Sequence, residues 1–221
     1  MCRPGRAGAA RASRAPRSSS RTRRPVADRS GKCARTWVHC AAATRLLVEQ
    51  GWAGLSTVAV QSAAGLSRGA LLHHFPTTKA LTTELVAYLV ERNEEGTRAA
   101  AARVAPGTDP VDATLSVLSE TFAQPPALAE QELWAAARTD PELAQALRAA
   151  ERHAGRDLFR VVDGLFGAEI VAHPHYPAVR DLTVTVLRGL AASRPLRTSA
   201  RAEAAILAQW AQVARSLLDR S

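Results

Sequence analysis

The residues whose types and spacing could do chemistry are concentrated in the stretch Ser56–Phe75, which reads STVAVQSAAGLSRGALLHHF. Ser56, Thr57 and Ser67 stand at the starts of short apolar runs. Hydroxyls and unpaired N–H groups at such helix starts suit phosphate oxygens. Arg68 can reach guanine O6 and N7 in a DNA major groove, or a phosphate. Gly69 and Ala70 are short enough to let the backbone approach base edges, and Leu72 and His73 complete the same outward side. His74 and, slightly downstream, Lys79 add groups that can meet phosphate. The two histidines are not expected to hold a metal, because neighbours on a helix diverge by about 100° and no third ligand is near in sequence.

Positioning such groups requires two short helices joined by a tight turn, one held against a core and the other projected into a groove. Val60 and Ala63 are placed to pack the first of these helices, Leu66 to plug the turn, and Leu71 and Phe75 to anchor the second. Upstream, Trp37, Cys40, Ala41, Thr44, Leu47 and Val48 recur at helical spacing until Gly51 stops the run. Downstream, Thr77 caps a long helix with Leu81, Leu85, Tyr88 and Leu89 on one face, reaching about Val104.

The remaining breakers divide the chain into further helices. Asp109-Pro110 and Asp140-Pro141 each pair an N-cap with proline at the first helical position. Pro125-Pro126 separates two helices, and the segment opened by Asp140 ends near Gly167. Residues 173–177 form a loop, and Pro195 with Thr198-Ser199 precedes a last helix ending near Leu218. The pattern predicts an all-α protein of about nine helices: a basic tail (1–32) without packed structure, a three-helix DNA-binding domain (33–80), and a helical bundle (81–221), to which the family resemblance described below assigns ligand binding and dimerisation.

Charge supports this division. Of the formal +9, residues 1–30 contribute +8, residues 31–80 contribute +4, and residues 81–221 contribute −3. The tail is either a phosphate-clinging arm or an extension upstream of the true start. Three cysteines, Cys2, Cys33 and Cys40, make neither a disulfide framework nor a CxxC metal site, which points to a reducing cytoplasm. No apolar run is long enough for a membrane span. Neither HExxH nor a phosphate-binding loop is present, and no cofactor or enzymatic activity is expected.

Residues 34–81 resemble the N-terminal domain of the TetR/AcrR family of transcriptional regulators. The resemblance is carried by Ala42-Ala43 and Leu46-Leu47 before Gly51-Trp52, by Ser56-Thr57, by Ala63-Ala64-Gly65-Leu66-Ser67-Arg68-Gly69, and by Leu72-His73-His74-Phe75-Pro76. It implies a homodimer that binds double-stranded DNA at a palindromic operator, usually as a repressor released by a small-molecule effector. Two positions depart from the family pattern. Leu72 stands where a phosphate-binding tyrosine is usual, and Thr78 where lysine is usual, with Lys79 one residue later.

In the C-terminal half, Phe122, Trp134, Phe159 and Phe166 lie on separate predicted segments and are candidates to wall a pocket for a small apolar effector. Arg138, one turn after Trp134, and His153 are its polar candidates. Val179, Leu182 and Val186, with Ile206, Trp210, Val213 and Leu217, form apolar stripes on the last two helices and are candidates for the subunit interface.

Overall fold

The computed structural model describes residues 27–65, 75, 77–196 and 199–219, with side chains from Trp37 onward except at positions 149 and 153. Among these residues there are eight α-helices and no strand. They are α1 (Ala27–Gln50), α2 (Thr57–Ala64), α3 (Thr78–Ala101), α4 (Pro110–Phe122), α5 (Pro125–Ala137), α6 (Pro141–Val171), α7 (Tyr176–Ser193) and α8 (Ala200–Leu218). Single 3-10 turns occupy Trp52–Gly54 and Arg194–Leu196. The ninth expected helix, over 67–75, lies outside the described residues apart from Phe75. No helix among the described residues is long and apolar enough to cross a membrane.

Side-chain caps start the helices where the sequence places them. Thr77 Oγ1 accepts from the Ala80 N–H, Asp109 Oδ1 from the N–H groups of Val111 and Asp112, and Asp140 Oδ1 from that of Leu143. Each cap satisfies donors that the first helical turn leaves unpaired. α1 begins at Ala27, six residues before the expected boundary at Cys33. α6 continues to Val171, but its path breaks at Gly167, where φ is 79°.

Two apolar clusters hold the helices together. The first joins Leu46 and Leu47 of α1, Val60 of α2, Phe75, and Leu81, Leu85 and Leu89 of α3 to Ala129 and Leu133 of α5 and Leu143 and Leu147 of α6. The second joins Leu118 and Phe122 of α4 to Val162 and Phe166 of α6, Val179 and Leu187 of α7, and Ala211 and Ala214 of α8. The packing therefore does not divide at residue 80: α3 runs through that boundary, and the N-terminal core is completed by α5 and α6.

Helical phase corrects part of the expected core. On α1 the inward residues are His39, Cys40, Ala42, Ala43, Thr44, Leu46 and Leu47, while Ala41 and Val48 are exposed. A stripe drawn one residue off on a helix rotates by about 100°, enough to exchange inside for outside. The same slip applies on α2, where Ala63 is exposed and Ala59 and Ala64 pack beside Val60 instead.

Candidate nucleic-acid interface and effector cleft

Ser56 has extended backbone and its Oγ accepts from the Ala59 N–H at 3.1 Å, which starts α2 and leaves Thr57 as the first helical residue. Val60 is fully buried and pins α2 to α1. Arg45 of α1 ties the other end down, its Nη2 donating to the Ala63 carbonyl at 3.1 Å. Gly65 then closes the helix with φ of 65° and ψ of 29°, a left-handed conformation that a side chain disfavours. Its N–H returns to the carbonyls of Gln61 and Ser62.

Ser67, Arg68, Gly69, Ala70, Leu72, His73 and His74 lie outside the described residues, as do Leu66 and Leu71. Both ends of that segment are nevertheless held. Gly65 sets the exit from α2, and Phe75 is buried against α1, its ring meeting His39 edge to face at a centroid distance of 5.4 Å. His39 was not anticipated as core; only its helical phase with Ala42 and Ala43 signals it. Lys79 Nζ lies 2.8 Å from Glu142 Oε2 of α6, so the expected phosphate contact competes with an ion pair inside the chain.

One pentapeptide, Gly65-Leu66-Ser67-Arg68-Gly69, has the letters of a GxSxG nucleophile elbow. That elbow needs a strand leading into the turn. Here helix α2 leads into Gly65, which is not the setting that elbow requires.

Residues 40–85 match the profile of bacterial regulatory proteins of the tetR family. Over 127 residues the chain is 35% identical to the HTH-type transcriptional regulator CymR of Pseudomonas putida, a match covering 58% of this chain and 61% of that protein. Solved structures share the all-helical fold across most of the chain. A transcriptional regulator of Streptomyces coelicolor A3(2) superposes with a TM-score of 0.60 at 18% identity, covering 84% of this chain and 99% of its own. The multidrug binding protein EbrR complexed with ethidium superposes with a TM-score of 0.57 at 22% identity, covering 83% and 97%.

Beyond residues 40–85, a cleft opens between α3, α4, α5, α6 and α7, with about 430 Å³ of empty space that includes open solvent. As its side chains stand, it admits little more than water. Its wall holds Asn93, Thr97, Phe122, Glu130, Asp157 and Arg188. Glu130 is buried, and Asn93 Nδ2 donates to its Oε2 at 3.2 Å. Burial, reinforced by the charge of Glu151, pushes the Glu130 carboxyl up to about 8 against the opposing pull of Arg188. Trp134 Nε1 donates to Glu151 Oε1 at 2.6 Å behind this wall. The Arg188 guanidinium lies 4.9 Å from the centre of the Trp134 ring and 5.5 Å from that of Phe122.

The expected pocket aromatics do not all converge here. Phe122 lines the cleft and Trp134 meets it through Arg188. Phe159 instead lies under the Arg180 guanidinium at 4.0 Å, and Phe166 is core, edge-on to Tyr176 at 5.2 Å. Arg138 is exposed at the C-terminal end of α5, and the His153 side chain lies outside the described residues. Sequence reasoning missed Asn93, Glu130, Asp157 and Arg188. The available signal was Glu130 itself, one turn before Trp134 and directly after the apolar run Ala127–Ala129.

The candidate interface residues separate into two sets. Val179 is completely buried within the chain, and Trp210 turns inward to donate from Nε1 to Thr183 Oγ1 at 2.9 Å. Leu182, Ile206 and Val213 are 46%, 36% and 49% exposed, leaving apolar side chains on the outward faces of α7 and α8. Val186 and Leu217 are half-buried between these sets.

Proposed function

We propose that this protein is a DNA-binding transcriptional regulator acting in the cytoplasm, a homodimer that reads a palindromic operator through the segment from Ser56 to Lys79. The observation that carries this reading is the coincidence of the family match over 40–85 with a capped, pinned α2 and a buried Phe75. That frame suits a segment held at both ends for delivery to a groove. The exposed Leu182, Ile206 and Val213 support pairing of two copies through α7 and α8. Pairing presents two reading segments to half-sites a DNA turn or more apart.

Regulation follows the repressor pattern, with release from DNA when a small molecule occupies the cleft. Its support is that the cleft is walled by α3, the helix that continues directly from Thr77 at the end of the DNA-binding segment. A ligand that fits one arrangement of α3 and α6 better than another shifts the population of DNA-competent dimers. EbrR, a multidrug binding protein of the same fold, carries ethidium, which supports a small-molecule site in such a bundle.

The test is fluorescence anisotropy on duplexes from the DNA upstream of the protein's own gene, against scrambled duplexes. Specific binding that weakens steeply with salt is expected. Equal affinity for both duplexes would falsify operator recognition.

A further inference from the structure

Hydrogen-bond accounting around the cleft defines the chemistry it favours. Thr97 Oγ1 donates to the Asn93 carbonyl at 2.7 Å and Thr121 Oγ1 to the Val117 carbonyl at 2.8 Å. Each hydroxyl therefore has lone pairs left for a ligand. The Asn93 amide donates to Glu130, while its Oδ1 is buried without a hydrogen-bond partner. Burial and the neighbouring Glu151 hold the Glu130 carboxyl above the usual carboxylate range, and a cation entering the cleft would favour its ionised form. Asp157 and Glu94 add two more carboxylates to the lining, each also paired with an arginine of its own helix, Arg160 and Arg98. Acceptors dominate the wall, and donors are few.

The exception is Arg188. Its guanidinium, lying against the faces of Phe122 and Trp134, is a planar cation in an aromatic and acidic setting. An anionic ligand would gain this one base but face Glu94, Glu130 and Asp157. A cation bearing N–H groups meets those acceptors, including the unpaired Asn93 Oδ1, and the same aromatic faces.

We propose that the cleft takes a small planar organic cation with N–H donors, an amidinium or aromatic ammonium, which replaces the Arg188 guanidinium beside Phe122, Trp134 and Glu130. The proposal rests on the reading of the cleft as the effector site, and it names that effector's class. Arg188 is then an internal placeholder, and its departure makes the room the cleft now lacks. Because Arg188 is carried by α7, which also bears Leu182, the displacement acts on a helix of the proposed dimer face.

The full-length protein is titrated with benzamidinium, neutral benzamide and benzoate. Binding is followed by the indole N–H resonance of Trp134, assigned by its loss in Trp134→Phe. Benzamidinium is expected to bind at least roughly tenfold more tightly than benzamide, with benzoate weakest. Glu130→Gln, a near-isosteric change, weakens benzamidinium by about tenfold, and Arg188→Ala strengthens it. Tightest binding by benzoate, weakening by Arg188→Ala, or no response to any probe overturns the proposal. DNA anisotropy on the same samples keeps the two readings apart. Benzamidinium that binds as expected but leaves DNA affinity unchanged supports the site and removes its regulatory role. DNA release by benzoate or benzamide alone keeps the regulatory role and rejects the cationic class.

Discussion

At the scale of single residues, Glu130 is buried although the residues that follow it, Gln131 and Glu132, are polar. Its carboxyl is raised from 4.5 to about 8 by burial first and by Glu151 second. Below about pH 4.5 the folded and unfolded chains both carry this proton. Between there and pH 8 only the folded chain holds it, so stability falls as pH rises through that window. Melting temperatures across pH 4.5–8.5 are expected to decline in the wild type and to decline less in Glu130→Gln. Parallel curves would remove Glu130 as the source. Phe75 makes the opposite kind of point, because the sequence placed it with Leu71 as an anchor of the second helix of the motif and it is buried. Truncation by Phe75→Ala is expected to cost about 3–5 kcal/mol in chemical denaturation and to abolish operator binding.

Among the elements, the helix boundaries were the most legible feature of the chain. Thr77, Asp109-Pro110 and Asp140-Pro141 are short-range signals, and the caps they form involve neighbours within three residues. Helix faces were less legible, since Ala41 and Ala42, or Ala63 and Ala64, differ in burial but not in type. A pattern rich in alanine leaves the phase of the stripe under-determined. The cleft was least legible of all, because five helices contribute to its wall and its polar groups come from residues 93 to 188. No local window holds that information. The cap on α2 offers an element-scale test. Ser56→Ala is expected to destabilise the protein by about 1 kcal/mol and Ser56→Gly by only a few tenths, read as denaturation midpoints. An unchanged midpoint in Ser56→Ala would mean that Ser56 Oγ contributes nothing as a cap.

For the whole molecule, the Lys79–Glu142 pair joins the DNA-binding end to the bundle at a place where both side chains are largely exposed. Its own stabilisation is small, about 0–1 kcal/mol. Its larger effect is competition for the Lys79 ammonium. Glu142→Gln is expected to tighten DNA binding and to steepen the dependence of log affinity on log salt by up to about one unit, as one more phosphate contact forms. An unchanged slope would place Lys79 away from the backbone of the operator. Association is tested separately with Leu182→Glu and Val213→Glu together, which place charge on the exposed apolar faces of α7 and α8. Sedimentation is expected to show monomers whose melting is little altered, with weakened binding to a palindrome.

The apolar cluster that binds α1, α2 and Phe75 to α5 and α6 has a consequence for how the chain can be used and how it can evolve. The end proposed to read DNA is not a portable module. Severed after α3, it would leave Leu47, Leu81, Leu85 and Leu89 without Ala129, Leu133, Leu143 and Leu147, and the fragment would be prone to aggregate. Grafting it onto an unrelated sensor would require α5 and the start of α6 to travel with it. Exchange between relatives should therefore succeed at breakpoints beyond Leu147 of α6 and fail at the apparent boundary near residue 80.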